Sequence, residues 1–153
     1  MSAANLTDVL SREADLYDDL LVLLTEEEAA LMAGDTRAVG DCLARTETLV
    51  LKLRVLETSR ETLVAQLTGR RDARLTELPT PAADVLGPVR ARLDSTLPRV
   101  ERMNRRVSAL LGRALHLFGV TLDLIRDAAG LSRHYTAHGG LTRAPLPTID
   151  GRA

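Results

Sequence analysis

From Val39 onward, apolar residues recur at steps of three and four: Val39, Cys42, Leu49, Leu53, Leu56, Leu63 and Leu67, with Thr46 and Arg60 as the two seam positions that are not apolar. Only an α-helix aligns residues seven apart on one side, so this stretch predicts a helix of about 30 residues, about 45 Å long at 1.5 Å per residue. A single narrow seam cannot hide itself, and the segment therefore needs partners. One precedes it: Leu6, Val9, Leu10, Leu16, Tyr17, Leu20, Leu23, Leu24 and Leu31 form a broader apolar stripe, wide enough to touch two neighbours. Between the two lies Met-Ala-Gly-Asp-Thr-Arg, where Gly34 suits the left-handed end of one helix and Asp35 suits the cap of the next. A link this short makes the first two helices an antiparallel hairpin.

Gly69, Pro79 and Pro81 then cluster in a polar loop, and Thr80 followed by Pro81 reads as a helix start. Helical spacing resumes through Leu93, Leu97, Val100, Asn104, Val107, Leu111, Ala114, Phe118 and Ile125, with kinks expected near Pro88 and Pro98. The expected fold is all-α: an elongated antiparallel three-helix bundle, or coiled-coil hairpin, over residues 1–130, with helices at about 5–32, 36–68 and 81–129. Residues 131–153 are rich in glycine, proline and small polar residues and read as a flexible tail.

Composition narrows the function by exclusion. The net charge is −1, and the arginines are interspersed with acids rather than gathered in a stripe, which disfavours nucleic acid. One Phe, two Tyr and no Trp leave no stacking platform for single strands. A single cysteine, an acidic N-terminus unlike a signal peptide and no evident apolar run of membrane-spanning length point to a cytoplasmic protein without membrane insertion. His134 and His138 are four apart but lack a third ligand, so neither a metal nor any other cofactor is expected. His116 reads as a half-buried side chain with a local partner, Glu26, Glu27 and Glu28 as a solvated face, and Cys42 as a small buried residue. No nucleophile, base and orienting group come together, and no catalysis is expected.

The apolar surface of the third helix is broad. Leu110, Leu111, Leu115, Leu117, Phe118, Leu122, Leu124 and Ile125 exceed one stripe, and the spacing fits either complete burial against the first helix or a face kept for a partner.

The stretch from Leu20 to Leu67 resembles the FlgN family of flagellar export chaperones: a leucine-rich helix with a Glu near its end, the Gly34–Asp35 turn, then Leu56, Glu57 and Arg60 in the second helix. Asn104, Leu110 and Leu111 are similar to the family's Asn-x-x-Asn-x-x-Leu-Leu segment, although Val107 replaces the second Asn, and Tyr135 followed by Gly139 is similar to its C-terminal Tyr and Gly. The resemblance implies a non-catalytic chaperone that binds the C-terminal helices of hook-associated proteins, prevents their early assembly and delivers them to the type III export gate. It implies client binding along Leu111, Leu115, Phe118, Leu122 and Ile125, and docking at the gate component FlhA through Tyr135 and Gly139. The competing reading folds Tyr135 back to cap the bundle, and the resemblance favours docking. Asn104 and Arg60 are expected to set helix register, Asn104 through a buried hydrogen bond. The heptads also allow a homo-oligomer in the free protein, and a helical adaptor that dimerises without an export role is the competing class.

Overall fold

The computed structural model of the protein describes residues 2–129, with side chains from Ala3 onward. Three α-helices follow in chain order, α1 (Ser2–Ala33), α2 (Thr36–Thr68) and α3 (Thr80–Ala128), with a short 3-10 turn at Leu75–Glu77 before the last. The described residues contain no strand, and the class is all-α as the seam predicts. Residues 130–153, including Tyr135, Gly139, His134 and His138, lie outside the described residues.

Local chemistry sets the helix ends. Gly34 has φ of +68°, a conformation open to glycine at little cost, and the Asp35 amide reaches back to the Ala30 carbonyl at 3.0 Å. The Asp35 carboxylate then accepts from the Ala38 amide at 3.0 Å, which caps α2. Gly69 closes α2 in the same left-handed conformation, its amide donating to Ala65 at 2.8 Å. At the start of α3 the structure differs from the sequence reading: the helix begins at Thr80, and the Pro79 carbonyl accepts from Ala82 and Ala83.

Pro88 and Pro98 both lie inside α3, and neither interrupts its assignment as one helix. Each lacks the amide that would bond four residues back, to Asp84 and Asp94. Both prolines sit on the exposed side, where water can take the freed carbonyls. Tertiary packing of the opposite side, through Leu86, Val89, Leu93 and Val100, holds the helix despite them.

The ion pairs give the helix directions. Glu13 meets Arg60 and Glu26 meets Arg45, so α1 and α2 run antiparallel. Asp15 and Asp18 meet Arg92 while Glu28 meets Arg106, so α1 and α3 run in the same direction. The up-down-up arrangement encloses two apolar levels. Leu6, Leu10 and Ala14 pack with Val64, Leu78, Leu86 and Leu93 in one, and Leu20 and Leu24 pack with Val100 and Val107 in the other. Burying each large side chain of this kind is worth about 1.5–3 kcal/mol. Tyr17 touches both levels.

Between the levels lies a polar layer. Glu13 is 2% exposed and receives Arg60 Nη1 at 3.2 Å, while Arg60 also reaches Glu57 at 3.6 Å. Burial outweighs the attraction of Arg60 and holds the Glu13 carboxyl above its ordinary range. On the other side of α1, Arg92 bonds Asp18 and lies 2.8 Å from Asp15, and the Thr96 hydroxyl donates to Asp18 at 3.2 Å. The Arg92 hydrogen bond holds Asp18 below the usual carboxylate range. All of this lies in a compact unit spanning residues 1–113, and a second unit begins at Ala114.

The expected solvated face at Glu26–Glu28 is corrected. Glu26 is exposed, but Glu27 is only 2% exposed, and Glu28 is largely covered and paired with Arg106. Glu27 continues the row Leu20, Leu23, Leu24 and Leu31, so the helix phase carries it inward whatever its charge.

Two outcomes follow from these features. Pro98→Ala restores the bond to Asp94 and raises stability by up to about 3 kcal/mol, read from the denaturant midpoint. Burial raises the Glu27 pKa, so the stability it contributes is fully present below the unfolded carboxylate value and is lost as pH rises through the folded one. Glu27→Gln is therefore more stable than wild type at pH 7, and thermal unfolding at successive pH values shows the gap closing toward pH 4. A gap that widens on acidification would contradict this.

Candidate functional site

Among the described residues, the second unit consists of the last stretch of α3, from Ala114 to Ala128, and Ala129. Helical periodicity sorts its side chains into two rows. Leu115, Phe118, Leu122 and Ile125 step by three, four and three, and Leu117, Val120 and Leu124 step by three and four. At 100° per residue the two rows together cover more than half the circumference. His116, Gly119, Asp123, Arg126 and Asp127 fill the remainder. The Thr121 hydroxyl bonds the Leu117 carbonyl at 2.9 Å, so it is satisfied within its own helix.

Every one of the seven apolar side chains is exposed; Phe118, the only phenylalanine of the chain, is 63% exposed. Isolated exposed leucines are ordinary on soluble proteins, whereas a contiguous set of seven on about three turns is the kind of surface that interaction sites use. Spacing left burial and exposure open for these residues, and they are exposed. Leu111 differs: it lies in the first unit and is half-buried.

Several expectations for single residues change. His116 is exposed rather than half-buried. Asn104 is exposed too, which corrects its expected buried hydrogen bond. The inward row of α3 runs through Val100, Met103 and Val107: Met103 and Asn104 flank the Val100–Val107 line on opposite sides, and the core lies on the Met103 side. Arg60 does hold a partner, Glu13, which explains its place in the α2 seam. At the other seam break the Thr46 hydroxyl is buried without a hydrogen-bond partner among the described residues, and nothing in the structure explains it. Cys42 is buried as expected, and burial raises its thiol pKa, so it is no ready nucleophile.

The expectation that no segment has the apolar character of a membrane span is also corrected. An 18-residue window of α3 has a mean hydropathy of 1.4, with none of it buried, so by length and composition this helix could cross a bilayer. Leucines on both rows keep the average high although charged residues interrupt them.

Sequence reading missed the partners of the buried layer. Glu13 occupies the apolar row Leu6, Leu10, Glu13 and Tyr17, and its spacing alone marks it as inward-facing.

Among the described residues, an exposed apolar stretch on α3 accompanies a packed helical unit, the features of an all-α protein with surface free for a polypeptide. The comparison with known families agrees: the family model described as FlgN protein matches residues 1–143, and the chain belongs to the FlgN family. FlgN proteins are flagellar export chaperones that bind hook-associated proteins. No curated protein and no solved structure matches the chain.

Exposure makes a stability contrast measurable. Phe118→Asp leaves the thermal midpoint within about a degree of wild type and lowers binding of an apolar dye. Leu24→Ala, at a fully buried site, costs about 2–5 kcal/mol in a denaturant titration.

Proposed function

We propose that this chain captures the C-terminal helical segments of hook-associated proteins on the apolar row of α3, prevents their premature assembly and delivers them to the type III export gate. The observation that carries the reading is the exposure of Leu115, Phe118, Leu122 and Ile125 together on one helix. An unassembled client presents an amphipathic helix of its own, and laying one apolar face on another buries both while leaving the client otherwise extended for transport. Leu111 extends the same spacing toward the three-helix unit. Ordering a client segment offsets part of the burial, so affinity is moderate and release at the gate remains feasible. Tyr135 and Gly139 serve as the docking element for FlhA, an aromatic anchor outside the client row. The chaperone acts in the cytoplasm, where clients await export.

Isothermal titration with C-terminal peptides of the organism's own hook-associated proteins tests this. The expected result is one-to-one binding with a negative heat-capacity change, weakened roughly thirtyfold, about 2 kcal/mol, by Phe118→Asp. A chain ending at Gly130 should bind peptide normally and lose association with FlhA. Absence of peptide binding by the folded protein would sink the client assignment and leave a helical adaptor.

A further inference from the structure

The three-helix unit carries a second apolar surface that the α3 row does not account for. On α1, Leu16, Val22 and Leu23 line the same side as Leu49, Val55 and Leu56 on α2, and two cavities of about 430 and 480 Å³ open there. They are consecutive. The first lies between Arg12–Leu16 and Lys52–Leu56, the second between Asp19–Leu23 and Arg45–Leu49, so they join into one trough along the hairpin. On either helix the lining spans 11 residue steps, about 17 Å or three turns. None of its lining residues comes from α3. Val22 and Val55 are more than half exposed within it.

The rims carry opposite charge. Arg12 is paired with Asp8, Arg45 with Glu26 and Asp15 with Arg92, which leaves Asp19 on the α1 edge and Lys52 on the α2 edge outside any ion pair among the described residues. Both sit near the middle of the trough, where the two cavities meet. A helix filling the trough would complete a four-helix arrangement, and its flanking residues would lie against these two charges as e and g positions lie in a coiled coil.

We infer that this trough docks an amphipathic helix of a partner protein, about three turns long, with an apolar stripe flanked by a basic residue facing Asp19 and an acidic residue facing Lys52. The site is separate from the α3 row, so it stands or falls independently of client capture there. Apolar burial supplies the attraction, and the two rim charges select which stripe is accepted.

The test uses the full chain and two fluorescent, side-chain-stapled 12-residue helices with the same leucine stripe. One carries arginine on one flank and glutamate on the other; the second carries arginine on both. The expected result is one-to-one binding of the bipolar helix, preferred about threefold over the doubly basic one, as befits rim ion pairs. Val55→Asp weakens it at least tenfold, Phe118→Asp leaves it unchanged, and Lys52→Glu reverses the preference. Circular dichroism confirms that each variant is folded. Retained binding in Val55→Asp, loss in Phe118→Asp, equal affinity for both helices or no binding of either would each overturn the proposal. So would a dimer in sedimentation that Val55→Asp dissolves, since the trough would then be covered by a second copy.

Discussion

The pairing of Glu13 with Arg60 is the constraint on which the three-helix unit depends. Glu13 is almost fully covered, and Arg60 supplies a cation that offsets part of its lost hydration. Sliding α2 by one turn would separate the two and leave the Glu13 carboxyl without that cation. Arg92 ties α1 to α3 in the same way: its guanidinium meets Asp15 and Asp18, and the Thr96 hydroxyl, one turn on, donates to Asp18. The two pairings meet the same two turns of α1. Leucines above and below supply most of the burial free energy, and the polar layer decides how they interlock.

That division of labour frees the rest of α3. Its first part belongs to the core through Leu86, Leu93, Val100 and Val107, and anchors the helix firmly. From Leu115 to Ile125 the large apolar residues are exposed rather than part of that core. Hydrophobic surface excluded from the core keeps its driving force available for a partner, which suits a chaperone whose clients are themselves incomplete helical assemblies.

Much of this was legible in the residues. The α2 seam, the Gly34–Asp35 turn and the buried role of Cys42 follow from period and turn chemistry, which act within a few residues. What misled was charge. Glu27 and Glu28 were read as solvated because they are acids, yet their helix phase turns Glu27 inward and brings Glu28 to Arg106. Asn104 and Met103 both fit a heptad through Val100 and Val107, and spacing alone does not say that the core lies on the Met103 side. The distinction between Val107, buried, and Leu115, exposed, is also invisible in spacing, since both occupy apolar positions on one helix.

The sequence by itself determined three helices, their lengths, their turns and an excess of leucine on the last, because propensity, periodicity and capping are local properties of the chain. Tertiary structure alone decided which of those leucines are spent on folding. Burial depends on what stands opposite: Leu86, Leu93, Val100 and Val107 of α3 pack with side chains of α1 and α2, whereas the large apolar residues from Leu115 to Ile125 are exposed. The same reason separates a seam arginine that stabilises the fold from one that merely interrupts a pattern: Arg60 acquires its role only when Glu13, 47 residues away, is brought beside it.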